Sequence, residues 1–181
     1  MTGKSENYQA LWKEEDRKAL LKWWKELEKN RGDRARLRRC KDSLQVCIQP
    51  AFLRLTRALP LFAKYQLMDL AAVAGVLSHV REHDGGKSFA SQLGTNKNGN
   101  PAMSELRFFQ IQKSHMADDF FTRMRRAVKL VGGRANLLSL ADYILQWGDE
   151  ARGRNDNVRF ASNSLKFRMA SDYYSVASRG K

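Results

Sequence analysis

The sequence has few residues of the kinds that cross-link a fold, break helices or bind metals. Two cysteines, three prolines and three histidines occur in 181 residues. Two cysteines cannot form the disulfide framework of a small secreted domain, and no window approaches the roughly 18 apolar residues that span a bilayer. The first residues, MTGKSENYQALWKEEDRK, lack the apolar core of a signal peptide. We therefore expect a cytoplasmic chain.

The two cysteines, Cys40 and Cys47, lie in a basic stretch that we expect to be helical. In a reducing cytosol, the simplest interpretation is that they are small residues on a helix face. No His, Asp or Glu near them has the spacing of a metal site. We expect no disulfide, no metal and no cofactor here.

Acidic residues are also few relative to basic ones. The chain has 33 Lys and Arg against 19 Asp and Glu, which gives a formal net charge of +14 and a pI of about 10.1. Clustered cations gain free energy when they release counterions from phosphates. Ribosomal proteins, membrane-surface proteins and other soluble basic proteins share such an excess. The charge therefore favours a polyanionic partner without identifying it.

The apolar residues repeat at helical spacing. Leu20, Trp23, Trp24 and Leu27 form one stripe, on a helix that we expect to end near residues 30–32. Asn100-Pro101 suits the start of a later helix. We find no alternating pattern typical of strands. The spacing predicts further helices from about residue 33 to near residue 50, and over about 66–83, 103–113, 118–131, 136–150 and 156–175.

Glycine and asparagine are concentrated in residues 94–101, a stretch typical of a linker. With 181 residues, 43% of them hydrophobic, the chain can form one compact domain or two small helical bundles that share a core. We predict an all-α fold of two helical bundles that pack together and are joined near residue 100. The predicted domains are 1–97 and 98–181.

Residues 31–41, RGDRARLRRCK, carry six cationic side chains and one acidic one. Such a cluster repels itself on a helix, and a bound polyanion relieves the repulsion. The alternative is an ordinary solvated face whose long side chains cover the core. We favour nucleic acid for this run.

The predicted helix 118–131 has two contrasting sides. Arg125, Arg126 and Lys129 lie on one side, with Arg123 at its flank. This side faces either phosphates or plain solvent, and periodicity does not distinguish the two. The opposite side is apolar and comprises Phe120, Phe121, Met124, Ala127, Val128 and Val131.

The predicted last helix has two apolar rows. Phe160, Phe167 and Tyr174 recur every seventh residue. The favoured interpretation is a helix packed between neighbours, and the alternative is a subunit contact or a platform for base stacking. The other row comprises Val158, Ala161, Leu165, Met169 and Tyr173.

Two motifs resemble catalytic signatures. Residues 79–83 match H-x-x-E-H, in which two histidines one helical turn apart bind zinc, but the pattern ends a predicted helix at Asp-Gly-Gly. Gly86-Lys87-Ser88 resembles the end of a phosphate-binding P-loop, yet Arg81 stands where that motif needs glycine. His115 has no nucleophile beside it. We predict no enzymatic activity, while Lys87 remains a good single contact for phosphate.

Several stretches, taken in order, are similar to one family, the small subunit (CasB family) of the type I-E CRISPR surveillance complex Cascade. The most telling features are the Arg-Leu-Arg-Arg run before Pro-Ala-Phe, a Ser-x-x-x-x-Leu-Gly loop, and an Arg-Phe helix that leads to Arg-Arg. The stretches are GDRARLRRCKDSLQVCIQPAFLRL (32–55), VAGVLSHVREHDGGKSFASQLG (73–94), ELRFFQIQKSHMADDFFTRMRRAVKLV (105–131) and LADYILQWGDE (140–150).

The resemblance implies an all-helical protein without enzymatic activity or cofactor. Such small subunits sit as a pair in Cascade, with other Cascade subunits, guide RNA and target DNA as partners. They help to hold the opened target, including the displaced strand. A basic module that binds an acidic protein partner remains the alternative.

The resemblance also implies residues that contact nucleic acid. Lys87 matches the basic residue of the central loop, Lys113 stands where relatives often have arginine, and Arg152 matches more loosely after Trp-Gly. Ser114-His115, the acidic pair Asp149-Glu150 and the longer N-terminus depart from the pattern. Together with Lys129 from the helix face, the expected nucleic-acid-binding residues are Arg38, Arg39, Lys87, Lys113, Arg125, Arg126, Lys129 and Arg152.

Overall fold

A computed structural model describes residues 8–97, 99–154 and 161–177 of the chain. The described residues are mostly helical, which confirms the all-α prediction. The helices are α1 (Glu14–Lys29), α2 (Arg31–Arg39), α3 (Ser43–Cys47), α4 (Pro50–Ala58), α5 (Pro60–Tyr65), α6 (Leu67–Leu77), α7 (Phe89–Gly94), α8 (Glu105–Gln112), α9 (Ala117–Leu130), α10 (Leu137–Ala151) and α11 (Leu165–Ala177).

The described residues include four strands of two residues each, in two pairs, and the first pair joins distant parts of the chain. β1 (Glu82–His83) pairs in parallel with β4 (Arg134–Ala135), and β2 (Asn96–Lys97) pairs antiparallel with β3 (Asn100–Pro101). The expectation that Asn100-Pro101 starts a helix is therefore wrong, because α8 begins only after Ser104. Strands this short leave no alternating pattern in the sequence.

The predicted apolar stripe of α1 is confirmed. Leu20, Trp23, Trp24 and Leu27 are all buried, and the indole Nε1 of Trp23 donates to the carbonyl of Ala51 at 2.9 Å. Burial of one such side chain contributes about 2–3 kcal/mol. The same hydrophobic cluster takes residues from before and after the loop near residue 100. Helix α7 packs on α11 and α6 on α10 across it, and the division into two domains stays a prediction.

Two helix ends come earlier than the sequence-based expectation. The run from residue 33 breaks already at Cys40, before Asp42 caps α3. The helix expected to reach residue 83 ends at Leu77, where Ser78 Oγ donates to the carbonyl of Gly75. The chain then turns into β1, so the segment after residue 78 exposes carbonyls that arginines can cap.

The expected helix 156–175 is also shorter within the described residues. A 3-10 turn occupies Ala161–Asn163 and α11 begins at Leu165. Val158 and Phe160 lie outside the described residues. Within the described ranges, no helix combines the length and the apolar character that a membrane span requires.

Candidate nucleic-acid interface

A cationic groove, here called the first groove, runs along α2 beside the segment that leads into β1. Helix α2 starts where the Asn30 side chain accepts a hydrogen bond from the Asp33 amide. Residues at spacings of three and four then share one face of the helix. The groove encloses about 790 Å³. Its lining residues are Glu28, Arg31, Arg34, Ala35, Arg38, Arg39 and Arg81.

Two arginines of the first groove are fixed by backbone carbonyls. Arg38 Nε and Arg34 Nε donate to the carbonyl of Ser78 at 2.8 and 3.0 Å, and Arg34 Nη2 also donates to the carbonyl of Val80. Burial, followed by the nearby Arg38 charge, lowers the pKa of Arg34; burial, followed by Arg81, lowers the pKa of Arg38. These two guanidinium groups are therefore held close together despite their mutual repulsion.

Arg81 is placed by the strand pairing rather than by α2. Its backbone N–H donates to the carbonyl of Gly133 at 2.7 Å, next to the β1–β4 pair. Its aliphatic stem lies over Gly133, where an added Cβ would come within 3.1 Å of Arg81 Cγ. The Arg81, Arg31 and Arg39 side chains are exposed and have no hydrogen-bond or ion-pair partner among the described residues.

A second groove of about 380 Å³ lies between α8 and α9. Arg123 Nε donates to both carboxylate oxygens of Asp119 at 2.8 Å, and that contact is the main cause of the lowered pKa of Asp119. Arg107, Arg126 and Lys129 are exposed and have no such partner in the described ranges. The groove is lined by Met103, Arg107, Gln110, Ile111, Arg123, Arg126, Lys129 and Leu130.

Arg125 and His79 lie between the two grooves. The Arg125 guanidinium donates to the carbonyls of Cys40 and Arg38 at 2.8 and 2.9 Å, and its Nε donates to His79 Nε2 at 3.1 Å. The expectation that Arg125 points to the exposed side of its helix is therefore wrong. Arg125 is half-buried and ties α9 to the end of α2.

The electrostatics of His79 connect the two grooves. Burial lowers the pKa of His79 to about 4, with further contributions from Arg125, Arg38, Lys129 and Arg34. Lys129 lines the second groove, whereas Arg34 and Arg38 line the first, so cations of both grooves act on one imidazole. We call the two grooves with the Arg125–His79 pair between them the basic surface.

Three expected contact residues lie apart from the basic surface. Lys87 is exposed between β1 and α7 and lines neither groove, and the Nζ of Lys113 lies 4.5 Å from the ring centroid of Phe109. Arg152 pairs with Asp69, and the hydrogen bond that Arg152 donates to this carboxylate is the main cause of the raised pKa of Arg152. The structure thus brings together Arg38, Arg39, Arg125, Arg126 and Lys129, but not Lys87, Lys113 or Arg152.

The sequence did not lead us to predict Arg34, Arg81 or Arg107 as residues that contact nucleic acid. Arg34 lies one helical turn before Arg38, so the spacing could have found it. Arg81 joins the site only through the pairing of β1 with β4, which has no local signal. Within the same basic run, Arg36 instead pairs with the buried carboxylate of Asp33, which also pairs with Arg54 of α4.

The H-x-x-E-H residues have roles other than metal binding in this fold. His79 accepts from Arg125, His83 Nδ1 accepts from the Leu137 amide at 3.2 Å, and Glu82 pairs with Arg134. They lie beyond the end of α6, so the helical geometry of that motif is not formed. Residues 8–97, 99–154 and 161–177 contain no group of three or more His, Cys, Asp or Glu placed to hold a metal ion.

The cysteines and the aromatic side chains of α11 lie outside both grooves. Cys40 is buried and Cys47 half-buried, and both are free thiols. Phe167 is 54% and Tyr174 41% exposed, and the Tyr174 hydroxyl contacts Glu105 at 2.6 Å. The row that contains Phe167 and Tyr174 is thus partly exposed in the single chain, whereas Leu165, Met169 and Tyr173 of the other row are buried.

Comparison with known proteins bears on the family. The searches of curated proteins and of solved structures found no match. The family described as CRISPR-associated protein Cse2 matches residues 33–174, well over half of the chain, including most of α2, the whole lining of the second groove and most of α11. The chain therefore belongs to the Cse2 family, the CasB family of type I-E Cascade that its motifs resemble.

Proposed function

We propose that this Cascade subunit holds the backbone of nucleic acid along the basic surface, without reading sequence. One observation carries the proposal. Three cations of the first groove and three of the second have no partner among the described residues, and both sets flank the Arg125–His79 pair. Such side chains bind phosphate oxygens, which are the same at every nucleotide.

This activity suits a complex that opens a DNA duplex. Formation of an R-loop is nearly balanced in free energy, so protein contacts to the backbone can decide its stability. A cationic groove can track the displaced single strand or the guide RNA with a grip that weakens steeply with salt. We propose that the chain stabilises the guide RNA/target DNA R-loop and the displaced strand in this way.

The proposed partners follow from the family. They are the other Cascade subunits, a second copy of the chain, the guide RNA and the target DNA, in the cytoplasm. We propose that the subunit is not an enzyme, and two of its three histidines support this. His79 accepts a hydrogen bond from a cation and His83 accepts one from a backbone amide, so neither is poised as a catalytic base.

Binding by the purified full chain tests the basic surface. Arg39, Arg81, Arg126 and Lys129 would be changed together to Glu, and Kd for unrelated single-stranded DNAs measured by fluorescence anisotropy at several salt concentrations. We expect at least a hundredfold weaker binding and a shallower salt dependence. The matched control changes four exposed cations outside both grooves to Glu, namely Lys22, Lys25, Arg57 and Lys64.

The control should weaken binding only a few-fold, because it has the same net charge but keeps the grooves. Equal losses in the two variants would contradict the proposal and leave net charge as the explanation. In assembled Cascade, changing Arg39, Lys87 and Arg126 to Glu should weaken capture of target DNA. Unchanged capture, or wild-type binding to an acidic protein in preference to DNA, would favour the protein-interaction alternative.

A further inference from the structure

We infer that the first groove is a binding site for one phosphate group of the nucleic-acid backbone, in which Arg34, Arg38 and Arg81 bind the phosphate. The second groove attracts phosphates without fixing them. This inference rests on the proposed function and specifies where the strand is anchored. The basic surface would thus contain one discrete anion site, while its other cations attract phosphate only through their charge.

The first argument is that two of the three guanidinium groups cannot move away. Both Arg34 and Arg38 donate through Nε to the single carbonyl of Ser78, and Arg34 also donates to Val80. A guanidinium carries five N–H donors. Several donors on each group are therefore left over, at positions that the protein backbone has already set.

The second argument is the missing counter-charge. The lowered pKa values of Arg34 and Arg38 arise from burial first and then from neighbouring arginines, with Arg81 acting on both. Glu28 is the one carboxylate among the residues that line the groove. Three converging cations that face one acid repel each other, and an anion between them removes that repulsion.

The third argument is that the fold places Arg81 from the other side. The Arg81 backbone N–H donates a hydrogen bond to the carbonyl of Gly133, and the Arg81 stem lies against that glycine. The φ of Gly133 is +78°, which disfavours other residues at this position. The arginines of α2 and the arginine before β1 thus come from two elements fixed independently. Planar guanidinium groups held in this way match the two oxygens of a phosphate.

The second groove lacks these supports. Arg126, Arg107 and Lys129 are exposed and not anchored to a carbonyl within the described ranges, and Arg123 is neutralised by Asp119. Cations without a carbonyl anchor or a packed stem contribute through charge and not through a fixed geometry. An ammonium should therefore replace a guanidinium in the second groove but not in the first.

A titration of the full chain with inorganic phosphate tests the phosphate site of the first groove in the absence of nucleic acid. The Nε–Hε signals of the arginines would be followed by NMR. We expect Arg34, Arg38 and Arg81 to shift together and to saturate, while Arg107 and Arg126 drift linearly. The result that overturns the inference is the same linear drift for all five.

Substitution by lysine tests the same point with single-stranded DNA. Arg81→Lys removes bidentate geometry and keeps the charge, so we expect about tenfold weaker binding. The matched change Arg126→Lys should alter Kd less than twofold. Arg81 caps no carbonyl with its side chain in the described ranges, so the fold is retained. Equal effects of the two changes would overturn the inference.

The two experiments separate the inference from the proposed function. If the wild-type chain binds no nucleic acid, the proposed function fails, whatever phosphate does in the first groove. If it binds DNA but Arg81→Lys and Arg126→Lys change Kd equally, the proposed function is supported and the phosphate site of the first groove is refuted.

Discussion

The first and second grooves are similar in charge but differ in what holds their cations. In the first groove, Arg34 and Arg38 share the carbonyl of Ser78 as an anchor. In the second, Arg123 is held by a carboxylate, Asp119, which also cancels its charge. Anchoring by a neutral carbonyl fixes a guanidinium and leaves its charge available, whereas anchoring by an acid does not.

This difference depends on where a helix ends. Because α6 stops at Leu77, the carbonyls of Ser78 and Val80 are free to accept bonds from α2. A longer α6 would use the Ser78 carbonyl within its own hydrogen-bond ladder. The end of one helix therefore organises the cations of another.

The largest effect is expected at Arg125, which joins the two grooves. Arg125→Ala leaves the carbonyls of Arg38 and Cys40 and the His79 acceptor without their donor. Partly buried acceptors without partners should lower the free energy of unfolding by about 3 kcal/mol. Urea denaturation measures this, with the exposed neighbour change Arg126→Ala as the control. Equal stability of the two variants would show that the Arg125 hydrogen bonds do not hold the two grooves together.

An intermediate effect is expected from pH, through His79. Its pKa in the folded protein is about 4, below the usual 6.5, so the folded state binds fewer protons than the unfolded state between these values. The stability that depends on neutral His79 is thus present above pH 6.5 and lost as the pH falls to 4. Urea denaturation across this range should show a smaller loss for His79→Gln than for the wild type.

Glutamine is chosen because it keeps an acceptor for Arg125 and does not titrate. The Gly86 amide lowers the pKa of Asp84 and Arg123 lowers the pKa of Asp119, and these two carboxyls contribute equally to both proteins, so they cancel in the difference. Identical pH profiles for the two proteins would mean that burial and the surrounding cations do not lower the pKa of His79.

The smallest effect is expected at Glu28, whose charge acts on Arg34 in the first groove. Glu28→Gln removes the one acid that lines this groove, and we expect binding of single-stranded DNA about threefold tighter, since screened surface charges are worth a few tenths of a kcal/mol. The control is Glu26→Gln, an exposed change on the same helix outside the grooves. A Kd unchanged by Glu28→Gln, or equally changed by both, would weaken the distinction between the grooves.

Local pattern was enough to predict much of the fold. Leu20, Trp23, Trp24 and Leu27 are buried as their spacing indicates, and α10 (Leu137–Ala151) agrees with the helix predicted over 136–150. The apolar side of α9 is likewise buried. These features depend on side chains three or four residues apart, which a sequence shows directly.

The site was predictable only where it lies on one helix. Arg38 with Arg39, and Arg126 with Lys129, could be found from the runs that contain them. The contribution of Arg81 depends on the β1–β4 pair, and the burial of Arg125 depends on the carbonyls of Arg38 and Cys40. Arg152 looked like a free cation because its partner, Asp69, is far away in the sequence.

The most direct test of the central claim is a footprint of arginine modification. The full chain would be treated with phenylglyoxal, with and without single-stranded DNA, and the modified residues measured by mass spectrometry. Our account predicts that Arg31, Arg39 and Arg81 of the first groove and Arg107 and Arg126 of the second are protected together, while Arg57 is not. Protection confined to one groove, or spread equally to Arg57, would contradict a single continuous basic surface.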